Sequence, residues 1–246
     1  MSDIKLGDVF PTNQGGSVIV VGYKNLKNIT VQHIDKYSHV AVVQAVSLKA
    51  GNVRNPYHKA VRGIGFVGVG DFNAYDNKVI TPEYRAWGGM FSRCYSKGLE
   101  DPTYKDCVVA PEWHNFQVFA EWYVSHEFYG LGYHLDKDLL VRGNKVYSPS
   151  TCDMLPVEIN SLLLDRRSER GEYPIGVSLL KRSGKFTAKL RIDGITKNLG
   201  SYNTAKEAHK AYAVEKEANV KRMALSYKDK ISKQAFNALM NWKVIT

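Results

Sequence analysis

The chain has 246 residues, 44% of them hydrophobic, which argues against disorder and allows one large domain or two to three small ones. Its 34 Lys+Arg against 24 Asp+Glu give a formal net charge of +10, which favours an anionic partner. Because no run of about 18 apolar residues occurs and the N-terminus lacks the charged-then-apolar order of a signal peptide, we expect a soluble intracellular protein.

Residues 1–75 predict a small β-rich module. Runs typical of strands cover 18–23, 28–34 and 39–46, and a glycine-rich tract follows at 63–70. That tract lacks GxGxxG order, so we do not interpret it as a nucleotide loop. The module has eight basic and four acidic residues, which suits either an auxiliary contact to DNA or a solvated surface. Its main cations are Lys24, Lys27, Lys49, Arg54 and Arg62.

Residues 76–165 predict a helix pair followed by short strands. One amphipathic helix begins at Thr81-Pro82 and another near Trp113, with a strand at 104–109 between them. A strand, a Gly-Asn turn and a helix that ends near Leu164 follow. The aromatic stripes of the helix pair indicate core positions rather than a cofactor site: Tyr84, Trp87, Met90 and Cys94, then Phe116, Phe119 and Tyr123.

The three cysteines, Cys94, Cys107 and Cys152, are an odd number at long spacing, which argues against a disulfide framework. Together with His114 they could form a zinc site. No CxxC knuckle supports that site, and buried free thiols are the alternative.

Residues 176–202 predict three short antiparallel strands. In the middle strand, 185–192, alternation separates an apolar face from a cationic one, because successive side chains point to opposite sides. Strands at 176–182 and 195–202 flank it, the latter after the turn Asp193-Gly194. The cationic face has Lys185, Thr187, Lys189 and Arg191, and a helix capped by Thr204 and Glu207 is predicted to back the apolar face.

The positive charge is concentrated in this C-terminal part. Residues 171–246 hold 15 Lys+Arg against 6 Asp+Glu, whereas residues 1–170 hold 19 against 18. Such a local field attracts a polyanion and releases its counterions. A basic linker at 166–175 precedes the strands, and its Arg166, Arg167 and Arg170 could track a phosphate backbone.

The run GVSLLKRSGKFTAKLRIDGITKNLGSYNTAKEAHKAYA, 176–213, resembles the Apetala-two/ethylene-response-factor type of DNA-binding domain, whose sheet enters the major groove. The resemblance implies double-stranded DNA as the partner. A solvated face of a small accessory sheet is the alternative. Carried over by position, the residues expected to face DNA are Ser178, Lys181, Arg182, Lys185, Thr187, Lys189, Arg191, Thr196 and Asn198.

The middle of the chain resembles phage and bacterial proteins related to HNH (His-Me finger, ββα-metal) endonucleases. The motifs that carry the resemblance are WxxMxxRCY at 87–95, DCVVxxEW at 106–113, FxxFAxW at 116–122, LDKD at 135–138 and GNKVYSPSTC at 143–152. Together the two resemblances imply a phage-encoded, homing-type endonuclease that works on DNA in the cytoplasm of a bacterial host, at the nucleoid.

Such an enzyme hydrolyses a phosphodiester and needs a general base and a divalent metal at the scissile phosphate. On the family template, Asp136 takes the place of the metal-binding Asp and Lys137 that of the basic His. Asn160 takes the last Asn, and Thr151 or Cys152 lies near the middle one. The resemblance therefore implies Mg²⁺ or Mn²⁺ held by Asp136 and Asn160.

The residues themselves leave alternatives open. Lys137, with an ordinary pKa of about 10.4, is a poor base but could hold a phosphate as a cation. His134 lies two residues before Asp136 on the same strand face, so it is either a displaced base or a simple surface or core histidine. Asp136 and Asp138 are either metal ligands or ion-paired strand-end residues. The 12 acidic and 7 basic residues of 81–165 favour a cation site.

The predicted fold class is α+β with several domains: a β-rich module at 1–75, a degenerate HNH-like domain at 76–165, the linker at 166–175, and a three-stranded sheet with helices at 176–246. Two functions are compatible with it. One is a metal-dependent DNA endonuclease of nicking or homing type, and the other is an HNH-derived DNA-binding regulator, accessory or architectural factor without catalysis.

Overall fold

The structure is a computed structural model that describes residues 4–96, 104–164 and 172–244. The chain forms a mixed α+β fold in two compact units, the first made of Met1–Lys105 with Val109–Glu121 and the second of Asp106–Val108 with Trp122–Thr246. The residues predicted as one central domain are thus divided between the two units. In the described ranges, no helix is long and apolar enough to cross a membrane.

The first unit begins with the predicted β-rich module, which is a four-stranded antiparallel sheet. Its strands are adjacent in chain order: β1 (Val9–Pro11), β2 (Ser17–Asn25), β3 (Asn28–His33) and β4 (Val40–Val43). Strand alternation buries one face of the sheet against a short helix, α1 (Ala45–Lys49), so the strand predicted at 39–46 ends earlier than expected. The core residues are Val18, Val20, Ile29, Val31, Ala45, Leu48 and Val53.

A small hairpin, β5 (Tyr75–Asp76) and β6 (Val79–Ile80), leads into the helix α2 (Pro82–Tyr95). The predicted start of α2 is confirmed, since the Thr81 side chain caps it by accepting from the Tyr84 N–H at 3.4 Å. The strand predicted at 104–109 is reduced to β7 (Val108–Val109), because Asp106 has a φ of +63° that extended backbone excludes.

The helix α3 (Phe116–Ser125) provides the second aromatic stripe. Most of the predicted stripe positions are core: Trp87, Met90, Phe116 and Phe119 are each 0% exposed and Tyr123 is buried, whereas Tyr84 and Cys94 are half-buried. Phe91 and Trp113, also 0% exposed, join the same core. The Trp87 indole N–H donates to the Trp113 carbonyl at 2.7 Å, which satisfies its one polar group. These buried rings pack the helix pair together, so they are core residues and do not form a cofactor site.

The second unit contains a strand pair followed by a helix. Strands β8 (His134–Asp136) and β10 (Asp153–Leu155) pair antiparallel, with β9 (Val146–Tyr147) in the long connection between them, and α4 (Val157–Leu163) follows directly. In this register Asp153 lies opposite Asp136, and Leu155 lies opposite His134. We call this segment, 134–163, the hairpin-helix segment.

The three-stranded C-terminal sheet is present as predicted. Strands β11 (Val177–Leu180), β12 (Lys185–Ile192) and β13 (Ile195–Tyr202) are antiparallel in chain order. Asp193 and Gly194 both have positive φ, 50° and 79°, which is the two-residue turn that matches strand twist. Two helices complete the unit, α5 (Ala205–Ser226) and α6 (Lys233–Met240).

Helix α5 is shared by two hydrophobic cores of the second unit. Its first half packs Ala208 and Tyr212 against Ala188 and Leu190 of the sheet. Its second half contributes Val220 and Ala224 to a core that also contains Leu155, Ile159 and Leu239. The sheet and the hairpin-helix segment are therefore built on the same helix.

The start of β11 lies unusually close to α5 at Gly176. This glycine has a φ of +76°, and a Cβ at this position would lie 2.0 Å from the Tyr212 ring. Only glycine permits both the backbone conformation and the approach.

The N-terminus of α5 has the predicted capping box. The Thr204 hydroxyl accepts from the Glu207 N–H at 3.2 Å, and the Glu207 carboxylate accepts from the Thr204 N–H at 3.1 Å. We expect Thr204→Ala to lower the free energy of unfolding by about 1 kcal/mol, because the Glu207 N–H loses the hydroxyl that accepts from it. Urea unfolding followed by circular dichroism measures the change. Thr204→Ser keeps the hydroxyl and should remain near the parent; an equal loss in both variants would contradict the assignment.

Candidate nucleic-acid interface and adjoining polar site

The face of the C-terminal sheet that points away from α5 is polar and cationic. The pairing places Ser178 next to Thr187, Lys189 next to Asn198, and Arg191 next to Thr196. The opposite face is apolar and packs on the helix, so the predicted alternation is present. We call the exposed set the basic sheet face: Ser178, Lys185, Lys189, Arg191, Thr196 and Asn198.

A β-bulge sets the composition of this face. The register shifts between Ala188, paired with Gly200, and Lys189, paired with Asn198, so one residue of β13 is left over. Thr187 holds the bulge by donating to the Asn198 side-chain oxygen at 3.3 Å and to the Gly200 carbonyl at 3.2 Å. Thr187, predicted to face DNA, is only 2% exposed and instead positions Asn198 beside Lys189.

The cations of this sheet fall into two groups. On the helix side, Lys197 lies 2.7 Å from Glu215. On the basic sheet face, no acidic side chain among the described residues lies within 4.0 Å of the Lys185, Lys189 or Arg191 nitrogens. The Arg191 Nε donates to the Gly194 carbonyl at 3.1 Å, which orients the guanidinium across the hairpin turn. The positive charge of these three side chains is therefore not neutralised by an ion pair within the described part of the chain.

Two further residues predicted to face DNA, Lys181 and Arg182, are exposed in the turn between β11 and β12. They extend the positive surface past the strand ends. The linker arginines Arg166, Arg167 and Arg170 lie outside the described residues.

In the hairpin-helix segment, the structure brings together two of the predicted catalytic residues. His134 is exposed at the start of β8, and Asn160 lies on α4 with its Nδ2 3.4 Å from the His134 Nδ1. Rotation of the amide by 180° presents Oδ1 to the same nitrogen, so Asn160 can select either imidazole tautomer. A histidine held by an amide and open to solvent is suited to accept a proton from water.

Asp136 has a structural role in the turn that follows β8. One of its carboxylate oxygens, Oδ1, accepts from the Asp138 N–H at 2.9 Å and from the Leu139 N–H at 2.8 Å. Burial raises the pKa of this carboxyl, and the two backbone hydrogen bonds oppose that effect. Oδ2 is left as the oxygen that could reach a metal.

Lys137 is 4% exposed, which is unusual for a lysine. Its Nζ donates to the Asp138 carboxylate at 2.6 Å and to the Asn144 carbonyl at 3.0 Å. The Asn144 side chain in turn donates to the Lys137 carbonyl at 2.8 Å. The predicted phosphate contact of Lys137 requires an exposure that the side chain lacks, and Asp138 is its ion-pair partner. Lys137 instead closes the loop between β8 and β9.

Tyr133, the residue before His134, makes a long-range contact that the sequence interpretation missed. The Tyr133 hydroxyl donates to the Lys230 carbonyl at 2.9 Å, and burial together with the nearby Glu158 raises the Tyr133 pKa. This contact holds the turn at 228–230, with its exposed Lys228 and Lys230, next to the start of β8. The run Lys228-Asp229-Lys230 is visible in the sequence as a basic turn. That it lies next to the start of β8 depends on a contact between distant parts of the chain.

A buried network, also missed, lies on β10. Asp153, 4% exposed, accepts from the His126 Nε2 at 2.9 Å, from the Met154 N–H at 2.8 Å and from the Ser232 hydroxyl. Ser232 also caps α6 by accepting from the Ala235 N–H at 2.9 Å. We call this set the Asp153 network, and it fastens the start of α6 to β10.

The cysteines give little support to a zinc site. Cys107 and Cys152 are buried, and burial raises the Cys152 pKa to about 12, which disfavours the thiolate that binds zinc. The His114 Nε2 lies 3.0 Å from the Val109 carbonyl, within hydrogen-bond distance. Among residues 4–96, 104–164 and 172–244, no three His, Cys, Asp or Glu side chains form a group that could hold a metal ion.

Comparison with known proteins adds no relative: no family model, no curated protein and no solved structure matches this chain.

Proposed function

We propose that this chain binds double-stranded DNA through the basic sheet face and acts on it as a metal-dependent endonuclease of nicking or homing type. The observation that carries the proposal is the row of cations on β12, Lys185, Lys189 and Arg191, which have no acidic partner among the described residues, in a part of the chain with 15 Lys+Arg against 6 Asp+Glu. Similarity to the Apetala-two/ethylene-response-factor type of domain points to the same face.

The chemistry of this face suits the DNA major groove, which admits a β-ribbon. Arg and Lys side chains match the guanine acceptors, and an Asn side chain matches adenine. Arg191 and Lys189 provide the first type of contact, while Lys185 and the turn cations Lys181 and Arg182 suit backbone phosphates. The Asn198 Oδ1 already accepts from the Thr187 hydroxyl and the Gly200 N–H, so Asn198 offers its Nδ2 as a donor to a base acceptor.

The binding part is tested by the double change Lys189→Ala and Arg191→Ala. We expect the slope of log affinity for a duplex against log salt to fall in magnitude by up to about 2, because each cation on the DNA surface replaces about one condensed counterion, whether its hydrogen bonds go to a base or to a phosphate. Fluorescence anisotropy at several salt concentrations gives the slope. Lys197→Ala is the matched control, since it removes a cation of the same sheet that pairs with Glu215. An unchanged slope in the double variant would refute the interface.

For cleavage, we assign His134 as the group that takes a proton from the attacking water. With the Asn160 oxygen accepting from Nδ1–H, the Nε2 of His134 is free for that proton. On the HNH template Lys137 takes the position of the basic His, so His134 would act as a displaced base, two residues before Asp136 on the same strand face. The nearby exposed cations Lys228 and Lys230 suit a phosphate of the same strand.

The donor atoms near His134 fit a divalent cation of the Mg²⁺ or Mn²⁺ type. Such ions prefer oxygen ligands, keep several waters and often take only one or two protein groups beside the substrate phosphate. We propose Asp136, through Oδ2, and Asn160, through the lone pair of Oδ1 that the bond from the His134 Nδ1–H leaves unused, as those groups. A cation bound there supplies positive charge at the scissile phosphate.

The second candidate is a DNA-binding regulator, accessory or architectural factor without catalysis. One observation favours it: the Asp136 Oδ1 is engaged by two backbone N–H groups and the carboxyl is buried. Plasmid nicking with Mg²⁺ or Mn²⁺ separates the two candidates. No nicking with any divalent metal, in a preparation that binds duplex DNA, would leave the non-catalytic function.

A further inference from the structure

A cavity of about 290 Å³ lies at one end of the N-terminal sheet, within the first unit. Three segments line it: the turn between β1 and β2 with Gly15 and Gly16, the end of β3 with His33, and the segment with Tyr57, His58 and Lys59. None of these residues takes part in the DNA contact or the cleavage proposed above.

His33 gives this cavity an unused hydrogen-bonding group. The side chain is 4% exposed, and its Nε2 has no hydrogen-bond partner. Burial lowers the His33 pKa, while a hydrogen bond to the Arg54 backbone raises it, which means that His33 donates in that bond. Nδ1 therefore carries the proton of the neutral ring, and Nε2 is an acceptor that requires an N–H or O–H donor.

The wall beside His33 is aromatic. Tyr57 lines the cavity and stacks on Tyr37, with ring centroids 4.2 Å apart and planes 9° from parallel. His39 stacks on His33 at 5.9 Å and meets the Tyr57 ring edge at 6.0 Å. A planar ligand gains stacking contact from such a wall, and ring faces of this kind take any nucleobase.

The remaining walls carry one carboxylate and one cation, Asp35 and Lys59. The Asp35 carboxylate accepts from the Tyr37 and Ser38 N–H groups and from the Asn55 side chain, which leaves the Lys59 side of the cavity for a phosphate. Lys59 is an exposed cation that lines the cavity. Gly15 and Gly16, both with a φ of +82°, have open space where a Cβ would stand, so a ligand can approach the backbone of this turn.

We propose that this cavity binds a nucleotide, with its planar base against Tyr57, a base N–H donating to the His33 Nε2, and its phosphate near Lys59. The base can belong to a free nucleotide or to single-stranded DNA, since both present the same groups. The site is separate from the basic sheet face, so its test is independent of the DNA-binding proposal.

The test is nuclear magnetic resonance of the full chain with labelled histidine rings, titrated with thymidine 5′-monophosphate or guanosine 5′-monophosphate. The sequence has seven histidines, and His33→Phe identifies the His33 signals. We expect nucleotide to shift the His33 ring signals while inorganic phosphate alone does not. His33→Phe should weaken binding about tenfold, because an aromatic ring remains but the Nε2 acceptor is lost, together with the Nδ1 donor to the Arg54 backbone.

Two lysine variants form a matched pair. Lys59→Ala should weaken nucleotide binding, whereas Lys27→Ala, an exposed lysine in the turn at the other end of the β2–β3 hairpin, should not. Equal effects of the two changes, or His33 signals unmoved by millimolar nucleotide, would overturn the proposal. Since Lys59→Ala changes only an exposed residue, it keeps the test valid if His33→Phe fails to fold.

A thymidine tetranucleotide that binds more tightly than the monophosphate identifies single-stranded DNA as the source, and equal affinity identifies the free nucleotide.

Discussion

His134→Ala should lower plasmid nicking by at least about 100-fold, since a positioned general base contributes about 10²- to 10⁴-fold to such a reaction. His134 is exposed and lies in a strand only three residues long, so its removal should leave folding and duplex affinity unchanged. Initial rates of supercoiled plasmid conversion at saturating protein measure the effect. Melting temperature and anisotropy confirm that only the rate has changed.

Asn160→Ala should also reduce the same rate, because it removes both the amide next to Nδ1 and a proposed ligand of the divalent cation, although it leaves the base. Ser161→Ala, at the neighbouring exposed position of α4, is the matched control and should behave as the parent. If His134→Ala nicks as fast as Ser161→Ala, His134 is not the base and the cleavage assignment fails.

Asp153→Ala should lower the free energy of unfolding by about 3 kcal/mol, because it leaves several buried donors without their acceptor. The affected groups are the His126 ring, the Ser232 hydroxyl and the Met154 N–H. Urea unfolding measures the change, with tryptophan fluorescence and far-ultraviolet circular dichroism as separate probes. We expect the helical signal to be lost at lower urea in the variant.

Glu215→Ala is the control for Asp153→Ala, since Glu215 also pairs with a cation but at the surface, where a pair contributes about 0–1 kcal/mol. Ser232→Ala should cost about 1–2 kcal/mol, because it removes the cap of α6 as well as one donor to Asp153. The double variant should cost less than the sum, as expected for groups in contact. Strict additivity would show that the Asp153 network does not act as a unit.

The sequence was sufficient for the parts of the fold that local rules determine. The strands at 185–192 and 195–202, the turn Asp193-Gly194 and the capping box at Thr204 were all predicted correctly. Each depends on side chains within a few positions of each other, through strand alternation, turn preference or helix capping. The aromatic core of α2 and α3 followed from helical spacing in the same way.

Long-range contacts were beyond this reasoning. His126 and Ser232 are 27 and 79 positions from Asp153, so no local pattern joins them. The burial of Lys137 depends on Asn144 and the loop between β8 and β9, and the burial of Thr187 depends on a bulge in the next strand. In both cases a residue type that is usually exposed was buried by a partner element, which periodicity within one strand cannot reveal.

The shared helix α5 has a consequence for where a cut would fall. Its 22 residues span about 33 Å at 1.5 Å per residue, and its two halves belong to the cores of the sheet and of the hairpin-helix segment. The residues that α5 gives to the two cores, Ala208 and Tyr212 in one and Val220 and Ala224 in the other, are centred about 12 positions apart, which is about 18 Å along the helix, so the helix fixes the spacing of the two parts. With the sheet seated on its target, the proposed enzyme would cut at a constant offset from the bases it reads, instead of within them.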